Sequence, residues 1–245
     1  MKQKKRLDER LLELHPQLSR TQVQSYIMQG KVMLDGVPCT KPGKQVTEES
    51  EILFSYEEPR YVSRAGFKLE KALDEFSVDP KGLIVLDAGL STGGFTDCLL
   101  QRGAQKVYGI DVGYGQVHDK IRNDPRVMVM ERTNLRDLNN LPQKVDLVTL
   151  DLSFISVIKV IPAVKKLMTA QAQLIVLIKP QFEAERHEVG RGGIIKDPEI
   201  HQKVVQKVLN ALSQEGFVNK GIIESPILGA EGNKEFLGYF INKEI

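Results

Sequence analysis

The 245-residue chain has no tryptophan, two cysteines and four histidines. Cys39 and Cys98 lie far apart in different stretches, so the chain has neither a disulfide framework nor the clustered Cys/His spacing of a zinc site, and no metal is expected. Long apolar runs are missing as well. The longest aliphatic stretch, Leu174 to Ile178, falls far short of the ~20 residues that span a bilayer as a helix. The first residues lack the apolar core of a secretion signal, and a reducing, cytoplasmic setting is expected. Internal repeats and low-complexity tracts are absent. An excess of one charge sign is nearly absent too, with a formal net charge of +2.

That balance hides an asymmetry. Residues 1–44 carry nine Lys/Arg against four acids, and residues 45–60 reverse the sign. A compact positive face of this kind attracts phosphate backbones, although charge alone also fits an ordinary solvated surface. The same region reads as two helices and a small β unit. Leu7, Leu11, Leu12 and Leu14 form an apolar stripe ended by Pro16. Ser19 is placed to cap a second helix carrying Val23, Tyr26 and Ile27, which Gly30 stops. Asp35-Gly36 is a hairpin turn signal between short strands, and Glu57-Glu58-Pro59 reads as a linker. The expected domains are residues 1–58 and 59–245.

Beyond Ser63, a candidate N-cap, the pattern changes. A helix presenting Leu69, Ala72, Leu73 and Phe76 inward leaves Lys68 and Lys71 off its apolar face. Apolar strand-like runs follow at 83–86, 106–110, 127–130, 145–150 and 174–178, mostly separated by helical stretches, and Met128 and Met130 read as core. Continuous runs of that kind indicate a parallel sheet covered on both faces. The end differs, because Gly216 to Glu224 and Glu235 to Ile241 flank only a turn and predict an antiparallel hairpin.

Leu83 to Asp87 runs as a strand into the turn Ala88-Gly89-Leu90-Ser91-Thr92-Gly93-Gly94, and a helix follows. Open α/β sheets bind ligands at such strand ends. The dinucleotide fingerprint needs a middle glycine so that backbone can approach a pyrophosphate; Ser91 stands there instead. S-adenosylmethionine has no pyrophosphate, and Asp111 at the end of the next strand is placed to accept hydrogen bonds from ribose hydroxyls. The turn therefore favours S-adenosylmethionine over NAD.

Arg6-Leu7-Asp8, Ser19-Arg20, Gly30-Lys31-Val32 and Asp35-Gly36 together resemble an S4 RNA-binding domain. The remainder resembles the FtsJ-like ribose methyltransferases. The combination with Tyr61 to Leu69, Asp151-Leu152-Ser153-Phe154-Ile155-Ser156 and Lys179-Pro180-Gln181-Phe182-Glu183 resembles the TlyA family, described as ribosomal RNA cytidine 2′-O-methyltransferases and also labelled hemolysins. The resemblance implies a Rossmann-like class I methyltransferase, a mostly parallel seven-stranded α/β sheet with a terminal antiparallel hairpin, behind a small α+β S4 domain. It implies a catalytic tetrad of Lys68, Asp151, Lys179 and Glu235, with Glu231 a neighbouring alternative to the last. Implied cofactor contacts are Asp87, Gly89, Ser91, Thr92, Gly93, Asp111, Asp151, Thr133 and Asn134. Implied RNA contacts are Arg6, Arg20, Lys31 and Lys44, with ribosomal RNA or ribosomal subunits as partner and S-adenosylhomocysteine as product.

These residue types suit the reaction. Transfer to a ribose hydroxyl is an in-line displacement that needs alignment and a base for the departing proton. A free lysine, with a pKa near ~10.4, is a poor base at neutral pH, and burial or a second cation brings such an amine into a useful range. Lys68 near Lys179 would supply the like charge, while Asp151 and Glu235 orient both amines. The loop Gly190 to Lys196, just past Lys179, reads as a mobile connection or an RNA-contacting lid. The rival reading is base methylation, whose acidic or amide motif ends in an aromatic at the same strand end; Asp151-Leu152-Ser153-Phe154 lacks its prolines, and Lys179 would have no task there. A cytolysin would need a membrane-inserting helix or barrel strands, and neither pattern is visible.

Overall fold

A computed structural model describes residues 4–56, 59–229 and 231–243; Glu57 and Glu58 of the linker lie outside them. The chain divides into two compact units, residues 1–59 and 60–245.

In the first unit, β1 (Lys5–Arg6) leads into α1 (Leu7–Leu14) and α2 (Arg20–Met28), then β2 (Val32–Leu34), β3 (Val37–Pro38), β4 (Gln45–Val46) and β5 (Ile52–Phe54). α2 starts in a capping box: Ser19 Oγ accepts from Gln22 N at 3.3 Å and the Gln22 side chain accepts from Ser19 N at 2.8 Å. Asp35 and Gly36 join β2 to β3 with φ of 51° and 76°, the left-handed pair that a two-residue hairpin turn requires. β5 pairs with the other edge of β2, and β1 pairs with β4. Leu7, Leu11, Val23, Ile27, Val32 and Val46 make the core. Leu14, placed in the apolar stripe by its spacing, is 49% exposed, because α1 ends there and no further turn carries it over the core.

The second unit runs α3 (Ala65–Glu75), β6 (Ile84–Ala88), α4 (Gly94–Gln101), β7 (Lys106–Ile110), α5 (Asp119–Arg122), β8 (Val127–Met130), β9 (Val145–Leu150), α6 (Ile161–Leu167), β10 (Met168–Ile178), α7 (Pro180–Glu183), α8 (Pro198–Gln214), β11 (Phe217–Glu224) and β12 (Phe236–Asn242). One seven-stranded sheet has the order β11-β12-β10-β9-β6-β7-β8, parallel from β10 to β8 and antiparallel at β10-β12-β11. Alternation explains why the central strands are apolar throughout. Leu174, Val176 and Ile178 of β10 face a core shared with α6 and α8, while Ile175 and Leu177 face the core beneath α3 and α4.

Two expectations need correcting. Met128 is 43% exposed, since β8 is the edge strand and the cover on its face reaches Met130 but not Met128. Ser63 makes no cap bond: α3 opens at Ala65 behind Arg64. A Cβ on Gly94 would lie 2.2 Å from Ser63 Oγ, so the serine fills the close approach between α3 and α4 instead.

Candidate active site

The carboxyl ends of β6, β7 and β9 surround a cavity of about 520 Å³, within the size range of small-molecule sites. Gly89 leaves β6 with φ of 89°, and a Cβ there would lie 2.2 Å from the Asp151 carbonyl oxygen, so only glycine allows the turn to meet the end of β9. Asp151 N in turn donates to Ala88 O at 3.0 Å. Asp111, ending β7, accepts from Ser91 N and from Gly113 N, both at 2.7 Å, and thereby sets the turn while each carboxylate oxygen keeps a lone pair for a ligand hydroxyl. Ile110, Val112, Leu135, Leu152 and Val160 supply apolar wall.

Gly89, Ser91, Asp111, Thr133, Asn134 and Asp151 therefore line one cavity, and Asp87, Thr92 and Gly93 do not. Asp87 is fully buried and its carboxylate is taken by Thr96 Oγ1 at 2.6 Å and Thr149 Oγ1 at 2.9 Å. Burial pushes its carboxyl up to about 6. Thr92 turns its carbonyl to His118 N, and Gly93, at φ of 98°, is pressed against Ile121. These three shape the turn from behind. A cofactor carrying an adenosine fits the remainder: an acidic strand end for hydroxyls, an apolar cleft for a base and a glycine turn that backbone alone can fill.

The four charged residues expected at the reaction centre form two ion pairs. Lys179 Nζ lies 2.6 Å from Asp151 Oδ1 and donates to Ser153 Oγ at 3.0 Å. Lys68 Nζ donates to Glu235 Oε2 at 2.5 Å. The pairs are neighbours in the sheet. Ile178 of β10 faces Phe236 of β12, so Lys179 and Glu235 occupy the next facing positions, and β9, which carries Asp151, flanks β10 on its other side. Helical spacing sets Lys68 apart from the apolar face of α3, yet it is only 8% exposed. It lies one turn before buried Ala72, at the margin of that face rather than opposite it, whereas Lys71 remains outside and pairs with Glu75 at 2.8 Å. Glu231 is exposed beside Gly193, and Glu235, not Glu231, is the acid bonded to Lys68.

Sequence reasoning missed two features. Phe154 is 92% exposed at the cavity rim, with φ of 65° and its ring 5.3 Å from that of Phe182. Glu183, only 2% exposed, accepts from Ser156 Oγ and Val157 N, each at 2.6 Å, and burial raises its carboxyl above the ordinary range. The signal for Glu183 was an acid at the end of a helix one turn long, a cue too common to read alone. The loop Gly190 to Lys196 is also less free than its glycines imply. Buried Asn233 accepts from Ile195 N and donates to Gly193 O, both at 2.9 Å, and His201 Nε2 lies 3.1 Å from Ile195 O.

In the first unit, Arg6 donates twice to Asp8 at 2.9 Å, and Arg20 lies 3.6 Å from the same carboxylate. Asp8 is fully buried, and Arg6 holds its carboxyl well below the usual carboxylate range. Both arginines are thus anchored to α1, while Lys31 and Lys44 are exposed and make no ion pair among the described residues.

The family model for FtsJ-like methyltransferases matches residues 61–241 and that for the S4 domain residues 5–52. The protein of Bacillus subtilis provisionally named rRNA methyltransferase YqxC is 42% identical over 240 residues, covering 96% of this chain and 84% of the relative. The 16S/23S rRNA (cytidine-2′-O)-methyltransferase TlyA of Mycobacterium tuberculosis is 41% identical over 239 residues, covering 96% and 89%. A solved structure from Streptococcus thermophilus, provisionally labelled a hemolysin, superposes with a TM-score of 0.76 at 38% identity, covering all of this chain and 90% of the other.

Proposed function

The chain belongs to the TlyA family of FtsJ-like methyltransferases, and from that premise we propose that it methylates a ribose 2′-hydroxyl of cytidine in ribosomal RNA, using S-adenosylmethionine and releasing S-adenosylhomocysteine. The observation that carries this reading is the Lys179–Asp151 pair at the edge of the cofactor cavity, with Asp151 belonging to both. The cytoplasm, where ribosomal subunits reside, is the proposed place of action.

When bound, S-adenosylmethionine supplies an electrophilic methyl group on a sulfonium. The chain's residues then have separate tasks. Gly89, Ser91 and Asp111 hold the cofactor, with Thr133 and Asn134 beside the adenine. In its neutral amine form, reached by release of a proton to solvent before the RNA docks, Lys179 receives the 2′-hydroxyl proton, and Asp151 balances the ammonium so formed, the ion pair seen in the structure; Ser153 fixes the direction of the amine. Lys68, neutralised by Glu235, closes the other side of the same strand ends. Phe154 offers an exposed ring on which an unstacked base of the RNA rests, the usual platform for single-stranded nucleotides. The first unit delivers the RNA through Lys31 and Lys44, and through the free edges of Arg6 and Arg20.

Base methylation is the weaker reading, because an exocyclic amine needs no lysine held on a carboxylate. No helix among the described residues is long and apolar enough to cross a membrane, so a cytolytic reading gains no support from a spanning helix. The test is Lys179→Met in a methyl-transfer assay with ribosomal RNA or subunits. Loss of the general base should lower turnover by roughly 10²–10⁴-fold, with cofactor affinity within about threefold. Turnover at the wild-type rate would remove Lys179 from the mechanism.

A further inference from the structure

Glu183 lies at the end of α7, the short helix that begins directly after Lys179. Its side chain points under the Asp151 to Val157 loop, and both carboxylate oxygens are used there, one by Ser156 Oγ and one by Val157 N. Its own carbonyl accepts from Lys207 Nζ of α8 at 2.7 Å, which fixes the brace from the other side. The loop so held carries Asp151, Ser153 and Phe154. Phe154 has a left-handed φ of 65°, a backbone state that a bulky residue keeps only where its surroundings impose it. The ring is 92% exposed and meets only Phe182 of α7, at 5.3 Å between centroids, among the ring contacts of the described residues, so α7 holds the loop through Glu183 and touches it again through Phe182.

We propose that Glu183 is a positioning residue for methyl transfer: by bracing the Ser156–Val157 end of the loop against α7, it keeps Ser153 and Phe154 in register with Lys179. This rests on the reading of the site as an RNA methyltransferase centre. Lys179 is fixed by β10 and Asp151 by β9, but the acceptor wall between them is loop. The carboxylate ties that wall to the segment that follows the base. Ser91 and Asp111, which would hold the cofactor, follow β6 and β7, are bonded to each other, and do not depend on Glu183.

The test uses the full-length chain and three readouts. Glu183→Ala should lower kcat with RNA by about 10- to 100-fold and raise KM for RNA, while cofactor affinity stays within about threefold. Glu183→Gln retains an acceptor for Val157 N and an amide that donates to Ser156 Oγ, and should recover activity to within about threefold of wild type. Because the chain lacks tryptophan, Phe154→Trp introduces a single indole into the loop, and adding Glu183→Ala should lower its fluorescence anisotropy. A Glu183→Ala protein that turns over RNA at the wild-type rate per folded molecule would overturn the proposal, as would unchanged indole anisotropy. So would a parallel fall of melting temperature, cofactor affinity and kcat that Glu183→Gln does not rescue. If the wild-type chain methylates no ribose, the functional reading fails, and the anisotropy still decides the brace.

Discussion

Replacing Lys68 by methionine keeps most of its length and apolar stem but strands Glu235. That carboxylate is 3% exposed and its Oε2 bonds to the Lys68 amine at 2.5 Å. Breaking a buried pair by removing one partner costs about 3–5 kcal/mol, because the remaining charge loses both its partner and its access to water. For a unit of this size about 2–4 °C of melting temperature goes with each kcal/mol, so Lys68→Met should melt roughly 6–20 °C lower. Removing both charges should reverse most of the loss: in Lys68→Met/Glu235→Met no isolated charge is buried, and two similar volumes are filled by apolar side chains. Scanning calorimetry on wild type, both single variants and the double variant closes the cycle, with the transition of residues 60–245 followed. All three variants should lose methyl transfer, so activity does not separate them; stability does. A double variant no more stable than Lys68→Met would refute the claim that the two residues form a buried ionic unit.

Asp87 makes stability depend on pH. Its folded-state carboxyl is pushed up to about 6 from an ordinary 3.8, so the native state binds the proton more tightly, and stability should fall as pH rises from about 4 to about 6, then level off. A rise of that size corresponds to about 3 kcal/mol, and Asp87→Asn should remove it from urea unfolding measured across that range. Gly89→Ala places a Cβ 2.2 Å from the Asp151 carbonyl oxygen at a left-handed φ; loss of cofactor binding by titration calorimetry and destabilisation of ~2 kcal/mol or more are expected. Asp111→Ala frees Ser91 N and Gly113 N and should weaken cofactor binding by about 10- to 100-fold, without an effect on RNA affinity measured in the cofactor's absence. Lys31→Glu with Lys44→Glu should weaken RNA binding and flatten the dependence of log affinity on log salt by roughly 1–2 units; an unchanged slope would place the RNA elsewhere.

Much of the fold follows from local patterns. The five apolar runs become sheet strands because both faces of the sheet are covered, and Asp35-Gly36 is a hairpin because those two residues accept left-handed backbone. What the sequence hid depends on where elements stop and what they meet. Leu14 has the spacing of a core residue but no turn after it, and Met128 lies on an edge strand. By helical spacing alone Lys68 sits off the apolar face, and its burial depends on Glu235, brought to it just before β12 from far along the chain. Asp87 has the place of a ligand contact in the motif, yet the hydroxyls of Thr96 and Thr149 turn it inward, and only the second of these comes from another strand far along the chain. Phe154 and Glu183 belong to motifs that were recognised as text, but their tasks depend on a loop conformation that no spacing rule encodes.

Mapping the methylated nucleotide decides whether the chain acts on a ribose. Ribosomal RNA or subunits lacking the modification would be incubated with the purified chain and S-adenosylmethionine carrying a labelled methyl group, and the product digested with alkali and ribonuclease. A label retained in an alkali-resistant dinucleotide whose first residue is cytidine is the expected result. A label recovered in alkali-released mononucleotides, carried on the base, would contradict this, because the lysine pairs at the ends of β9, β10 and β12 would then have no ribose hydroxyl to serve.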